Sequence, residues 1–92
     1  MSSKELRFRR SHRALFRRVG DEVLVAVPGD GEVVSLFGTG TAIWESIAHP
    51  ASVAELARTL AEEYGASPDE IAADIETFLD QLLEKRVVER HA

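Results

Sequence analysis

Apolar residues along this chain change rhythm near its middle. Up to Phe37 they come in short runs, and beyond Thr41 they recur every three or four positions. The run Val23-Leu24-Val25-Ala26-Val27 is nearly continuous, as expected of a buried central strand. Gly20-Asp21 before it and Pro28-Gly29-Asp30-Gly31 after it are turn signals. Arg13 to Val19 and Glu32 to Phe37 are therefore predicted as its two neighbours in a three-stranded antiparallel meander.

Three helices are predicted next. Thr39 or Thr41 is placed to cap the first, which presents Ala42, Ile43, Trp44, Ile47 and Ala48 before His49-Pro50 stops it. Ser52-Val53-Ala54-Glu55 opens the second, because serine and a glutamate three residues on can each satisfy a free amide of the first turn. Val53, Leu56, Leu60 and Tyr64 form its stripe, and Gly65 is its C-terminal cap. Ser67-Pro68-Asp69-Glu70 opens the third with a capping serine, proline at the first helical position and a capping glutamate. Ile71, Ile75, Phe78 and Leu82 are its stripe, widened by Leu79 and Leu83, and Val87-Val88 follows as a short extended tail. The fold class is α+β, winged helix-turn-helix-like: a three-stranded antiparallel N-terminal sheet followed by three helices.

In a meander the middle strand is paired on both sides, so the outer two are edges. Arg13, Arg17 and Arg18 guard the first, since charge discourages strand addition. The segment Val33, Val34, Ser35, Leu36 and Phe37 carries neither charge nor proline. It is either a strand covered by other parts of the chain or a docking edge for an extended peptide, which would gain main-chain hydrogen bonds and alternate side-chain pockets.

Composition narrows the classes. Ninety-two residues suffice for one domain that buries only about 60 to 65% of its unfolded surface, which disfavours an enzyme pocket built from distant loops. The absence of cysteine excludes disulfides and thiolate chemistry. With no apolar leader segment and no apolar run of spanning length, the expectation is a cytoplasmic protein with no membrane association. The net charge of −5 conceals an asymmetry: residues 1–18 hold Lys4 and six arginines against Glu5 alone, whereas the remainder holds fifteen carboxylates against four cations. Residues 1–10 are read as a basic, disorder-prone arm and 11–90 as a single domain.

Chemistry-bearing groupings are scarce. His12, His49 and His91 are scattered without metal-ligand spacing, and Gly38-Thr39-Gly40 is neither a phosphate loop nor a dinucleotide fingerprint. No enzyme activity, metal or cofactor is expected. Nucleic-acid binding is the chief competitor for the fold, but the third helix offers Asp69, Glu70, Asp74, Glu76, Asp80 and Glu84 before its first cation. Such a field repels a duplex, so no nucleic-acid partner is expected.

Leu36, Thr39, Gly40, Ile43 and Trp44, in that register, resemble the signature of PqqD-like domains, also called RiPP recognition elements, which bind the leader peptides of ribosomally made, modified peptides. Val53, Glu55 and Leu56, Tyr64, and Asp74-Ile75, Phe78-Leu79 and Leu82 extend the resemblance, which covers roughly Arg13 to Val88. The chain departs from the pattern at Phe37, where relatives have asparagine, at Thr41, His49-Pro50 and Arg86, the last standing where relatives have glycine. The resemblance implies that the leader lies as an added antiparallel strand in a cleft between the third strand and the third helix. Val33, Val34, Ser35, Leu36 and Phe37 would supply the edge, and Ile71, Asp74, Ile75, Phe78 and Leu82 the helix wall. The implied partners are a precursor leader peptide and a modifying enzyme such as a radical-SAM maturase, leader peptidase or cyclase. The alternatives are a winged-helix nucleic-acid regulator and a structural subunit that forms a homodimer through the same edge.

Overall fold

The computed structural model describes residues 6–30 and 32–91. Its elements are β1 (Arg7–Arg10), β2 (Leu15–Val19), β3 (Glu22–Ala26), β4 (Val33–Phe37), α1 (Thr39–Ser46), β5 (Ala51–Ser52), α2 (Val53–Tyr64), α3 (Pro68–Glu84) and β6 (Val88–His91). The expected meander is present: β2, β3 and β4 form an antiparallel sheet in that order, and three helices follow it. The fold is α+β. Val23, Val25 and Leu36 project from one face of this sheet into a core that contains Trp44, Ile47, Leu60 and Leu79, all essentially inaccessible to solvent.

A second sheet, in the order β5-β1-β6, departs from the expected plan. Of the basic arm anticipated over residues 1–10, residues 1–5 lie outside the described residues, and Arg7–Arg10 form β1. Phe8 drives this, being buried to 4% exposure between arginines that face outward. Arg9 donates from Nε to Glu89 at 2.8 Å. The Arg10 guanidinium lies 4.7 Å from the Phe16 ring and 4.9 Å from that of Trp44, and its Nε donates to the Trp44 carbonyl at 2.9 Å. Cation–π contact of this kind is worth about 0.5 to 2 kcal/mol, and burial lowers the Arg10 pKa. The tail expected at Val87-Val88 continues as β6, which pairs with β1 from Arg7↔His91 to Arg10↔Val88.

Helix termini follow the sequence unevenly. Ser52 and Glu55 exchange the reciprocal bonds of a capping box at 2.9 and 3.1 Å. Neither Thr39 nor Thr41 caps α1: Gly38 is the N-cap at φ 61°, ψ −129°, a conformation open essentially to glycine alone, and its carbonyl closes the first turn. Ser67 is the N-cap of α3 with Pro68 behind it, but its side chain makes no cap bond, and its carbonyl accepts from Glu70 and Ile71 instead. At the end of α3, Arg86 donates to the Leu83 carbonyl and Val87 to that of Leu82. This is a Schellman closure with Arg86 at φ 65°, where glycine is the usual residue.

Candidate functional site

β4 is an edge. Its register against β3 pairs Val23↔Leu36 and Val25↔Val34, with Glu22↔Phe37, Leu24↔Ser35 and Ala26↔Val33 between. On the other side of β3, the two-residue loop Gly20-Asp21, with Gly20 at φ 62°, joins the pair Val19↔Glu22. A two-residue hairpin closes on a hydrogen-bonded pair, so the main-chain groups of Glu22, Leu24 and Ala26 face β2. Alternation along an antiparallel ladder then directs those of Val23 and Val25 to β4. Val34 and Leu36 satisfy them. The N–H and C=O groups of Val33, Ser35 and Phe37 are left on the open side, where no strand pairs with them among the described residues.

The side chains of β4 divide the same way. Leu36 is 3% exposed and Val34 is half-buried against the core, whereas Val33 and Phe37 are each 66% exposed. Ser35 is exposed with them, on the sheet face that points away from the helices.

Past the end of β4 the chain enters the wall of a cavity of ≈ 530 Å³. Thr39, Gly40 and Ile43 of α1 line one side, Tyr64 and Ala66 the second, and Glu70, Ile71, Asp74, Ile75 and Phe78 of α3 the third. Spacing by three and four residues places the last five on one helix face. Gly40 joins this cavity to the strand: a Cβ added there would lie 3.0 Å from Phe78 Cζ, 3.3 Å from Phe78 Cε1 and 3.9 Å from Leu36 Cβ. Backbone therefore packs directly on the Phe78 ring, and the absence of a side chain at the second glycine of Gly38-Thr39-Gly40 permits that approach.

The helix wall expected from sequence is brought together in part. Ile71, Asp74, Ile75 and Phe78 all line the cavity, with Ile71 and Phe78 half-buried and Asp74 exposed. Ile75 is 1% exposed and contributes to the floor from within the core. Leu82 is 2% exposed, belongs to the core and does not line the cavity. The β4 residues do not line it either, so strand edge and cavity are adjacent surfaces joined through Gly40. Thr39, Gly40, Ile43, Tyr64, Ala66 and Glu70 were absent from the expected set. Glu70 was recoverable, since it stands one helical turn before Asp74 on the same face.

The floor of the cavity is aliphatic and aromatic, its rim carries Glu70 and Asp74, and among the described residues no basic side chain lines it. Such a lining is complementary in chemistry to an apolar side chain accompanied by a cation. Among the described residues no grouping of histidine and carboxylate side chains could hold a metal ion, and no helix is long and apolar enough to cross a membrane.

The family model of coenzyme PQQ synthesis protein D (PqqD) matches residues 22–88. TbiB1, solved in complex with the TbiA(β) leader peptide, is similar in structure with a TM-score of 0.82 and 23% identity, over 91% of this chain and 98% of that one. The solution structure of the PqqD truncation of Methylobacterium extorquens PqqCD, described as a functional and stand-alone RiPP recognition element, gives a TM-score of 0.76 and 25% identity, over 90% of this chain and 88% of that one. No curated protein matches the chain in sequence.

Proposed function

Because the chain belongs to the PqqD family, we propose that it is a non-catalytic adaptor: it captures the leader of a ribosomally made precursor peptide by β-strand addition and presents it to a modifying enzyme. The observation that carries this reading is the edge of β4, where Val33, Ser35 and Phe37 turn outward main-chain groups that no strand among the described residues pairs with, beside a largely apolar cavity. The fold is shared with TbiB1, whose structure holds a leader peptide. Each main-chain bond made there contributes about 0.5 to 1.5 kcal/mol net and each buried apolar side chain about 1.5 to 3 kcal/mol, and these together are set against the cost of association.

The polarity of the added strand sets where charge falls. In antiparallel pairing the peptide's N-terminal side lies at the Phe37 end of β4, next to Thr39 and Gly40 and hence the cavity. An apolar leader residue there would enter between Ile71 and Phe78, and a lysine or arginine near it would meet Glu70 and Asp74. The modifying enzyme, whether radical-SAM maturase, leader peptidase or cyclase, would act on the part of the precursor outside the paired segment.

Titration of the ¹⁵N-labelled domain with the precursor peptide encoded beside it tests the reading. The amides of Val33, Ser35 and Phe37 should shift strongly and become protected from exchange. If they stay in place while the precursor binds, the edge is not the site. If they are already protected in a dimer that ignores the precursor, the edge serves self-association.

A further inference from the structure

We infer that this domain reads its peptide on both faces of the added strand, and that Phe37 and Val33 select apolar side chains at two peptide positions four residues apart. The inference rests on the adaptor reading above and adds a specificity to it.

Cross-strand neighbours on one sheet face run in rows. Register places Val19, Glu22 and Phe37 in one row of the face that points away from the helices, Arg17, Leu24 and Ser35 in the next, and Leu15, Ala26 and Val33 in the third. The first and third rows end at the open edge with large apolar side chains, Phe37 and Val33, each 66% exposed. The middle row ends with a hydroxyl, Ser35. Isolated exposed hydrophobic residues are ordinary on protein surfaces, but these two alternate along one strand and are also residues whose main-chain groups point outward. A peptide hydrogen-bonded to Val33, Ser35 and Phe37 must place its directly opposed residues on this same outer face. The positions between them turn inward, toward α3 and the cavity.

The added strand thus continues all three rows. Opposite Phe37 and opposite Val33 an aromatic or β-branched side chain gains cross-strand contact and covers exposed apolar surface, while opposite Ser35 a polar residue is accommodated. Aromatic and β-branched pairs of this kind contribute modestly, equivalent to about a 2- to 5-fold change in affinity for each position. The recognised segment is therefore apolar at its outward first and fifth positions, indifferent or polar at the third, and apolar at the inward second and fourth. Phe37 is the specificity-determining residue at the cavity end.

The test is selection of a randomised peptide library displayed on phage against the wild-type domain and against Phe37→Asn and Val33→Ser. Both substitutions lie on exposed positions and leave the core intact. Wild-type protein should enrich apolar residues at two positions four apart. Phe37→Asn should erase the preference at one of them and Val33→Ser at the other, with the inward positions unchanged. Serine placed at either outward position of a selected peptide should weaken its binding about 2- to 5-fold to the wild type and negligibly to the matching variant. Selected peptides that shift the Ser35 amide yet show no outward preference, or one indifferent to both substitutions, would overturn this inference and leave the adaptor reading standing. Selected peptides that leave the β4 amides unmoved would overturn both.

Discussion

Replacing Gly40 by alanine should change stability in opposite directions depending on what occupies position 78. In the wild type the new methyl group would sit 3.0 Å from Phe78 Cζ and 3.3 Å from Cε1, against an ordinary carbon–carbon contact of about 3.5 to 4.0 Å. The half-buried ring must therefore yield by about half an ångström, into the cavity. Overpacking costs about 1 to 3 kcal/mol, and a ring with free space on one side belongs at the low end, about 1 kcal/mol. Alanine in a helix gains up to about 1 kcal/mol over glycine, which we halve to about 0.5 kcal/mol for a first-turn position. The net effect is a loss of about 0.5 kcal/mol, or about 2 to 4 °C in Tm for a domain of this size. In a Phe78→Leu background the offending ring atoms are gone, and the same substitution should instead raise Tm by about 2 to 4 °C. The coupling between the two positions is then about 1 kcal/mol, measurable by urea denaturation of the four proteins of the cycle. Equal shifts in both backgrounds would refute the contact, and with it the claim that Gly40 exists to let backbone approach the cavity wall.

Arg86→Gly should stabilise the domain by about 0.5 kcal/mol, since relief of the left-handed conformation at φ 65° exceeds the added chain entropy of glycine; Arg86→Ala, as a control in the same thermal melt, should not. Ser35→Pro should leave the sheet folded and weaken leader binding about 2- to 12-fold by deleting an outward donor, whereas Val34→Pro should instead lower Tm, because that amide is directed to Val25. Ser52→Ala should cost about 1 kcal/mol through loss of the capping box, read as a lower urea midpoint. The Ser52 amide holds the Glu55 carboxyl below its ordinary range, and the Arg9 guanidinium does the same to Glu89. Both stabilising contributions are therefore full above the ordinary carboxylate value of 4.5 and vanish as pH falls through the lower folded-state values. Glu89→Gln should accordingly flatten the acid limb of the stability profile.

What was readable from the chain depended on how far apart the interacting residues are. Ser52 and Glu55 find each other within one helical turn, and the apolar run of β3 between two turn signals names a central strand without reference to anything distant. β1 had no such local signature. Its single buried side chain, Phe8, sits among arginines, and its partner Glu89 lies eighty positions away. For the site, the residue types of α3 located a wall but not its extent. Leu82 has the same spacing as Phe78, and only the packing of the neighbouring elements makes one a core residue and the other part of a cavity. The open edge was inferable from the missing charge in Val33 to Phe37. Which of its amides point outward was not, because that parity is fixed by the Gly20-Asp21 hairpin two strands earlier.

The pairing of Arg7–Arg10 with Val88–His91 makes the two ends of the described chain neighbours. A second protein joined by a short flexible linker to either end would leave from nearly the same place, and would see the β4 edge at a similar effective concentration, on the order of millimolar for short linkers. The β1–β6 pair and the β4 edge belong to different sheets, so such a tether need not compete for hydrogen bonds with a peptide added at that edge. The fold would in this sense be indifferent to the order of fusion: a second domain could be joined before it or after it without redesign of the β4 edge.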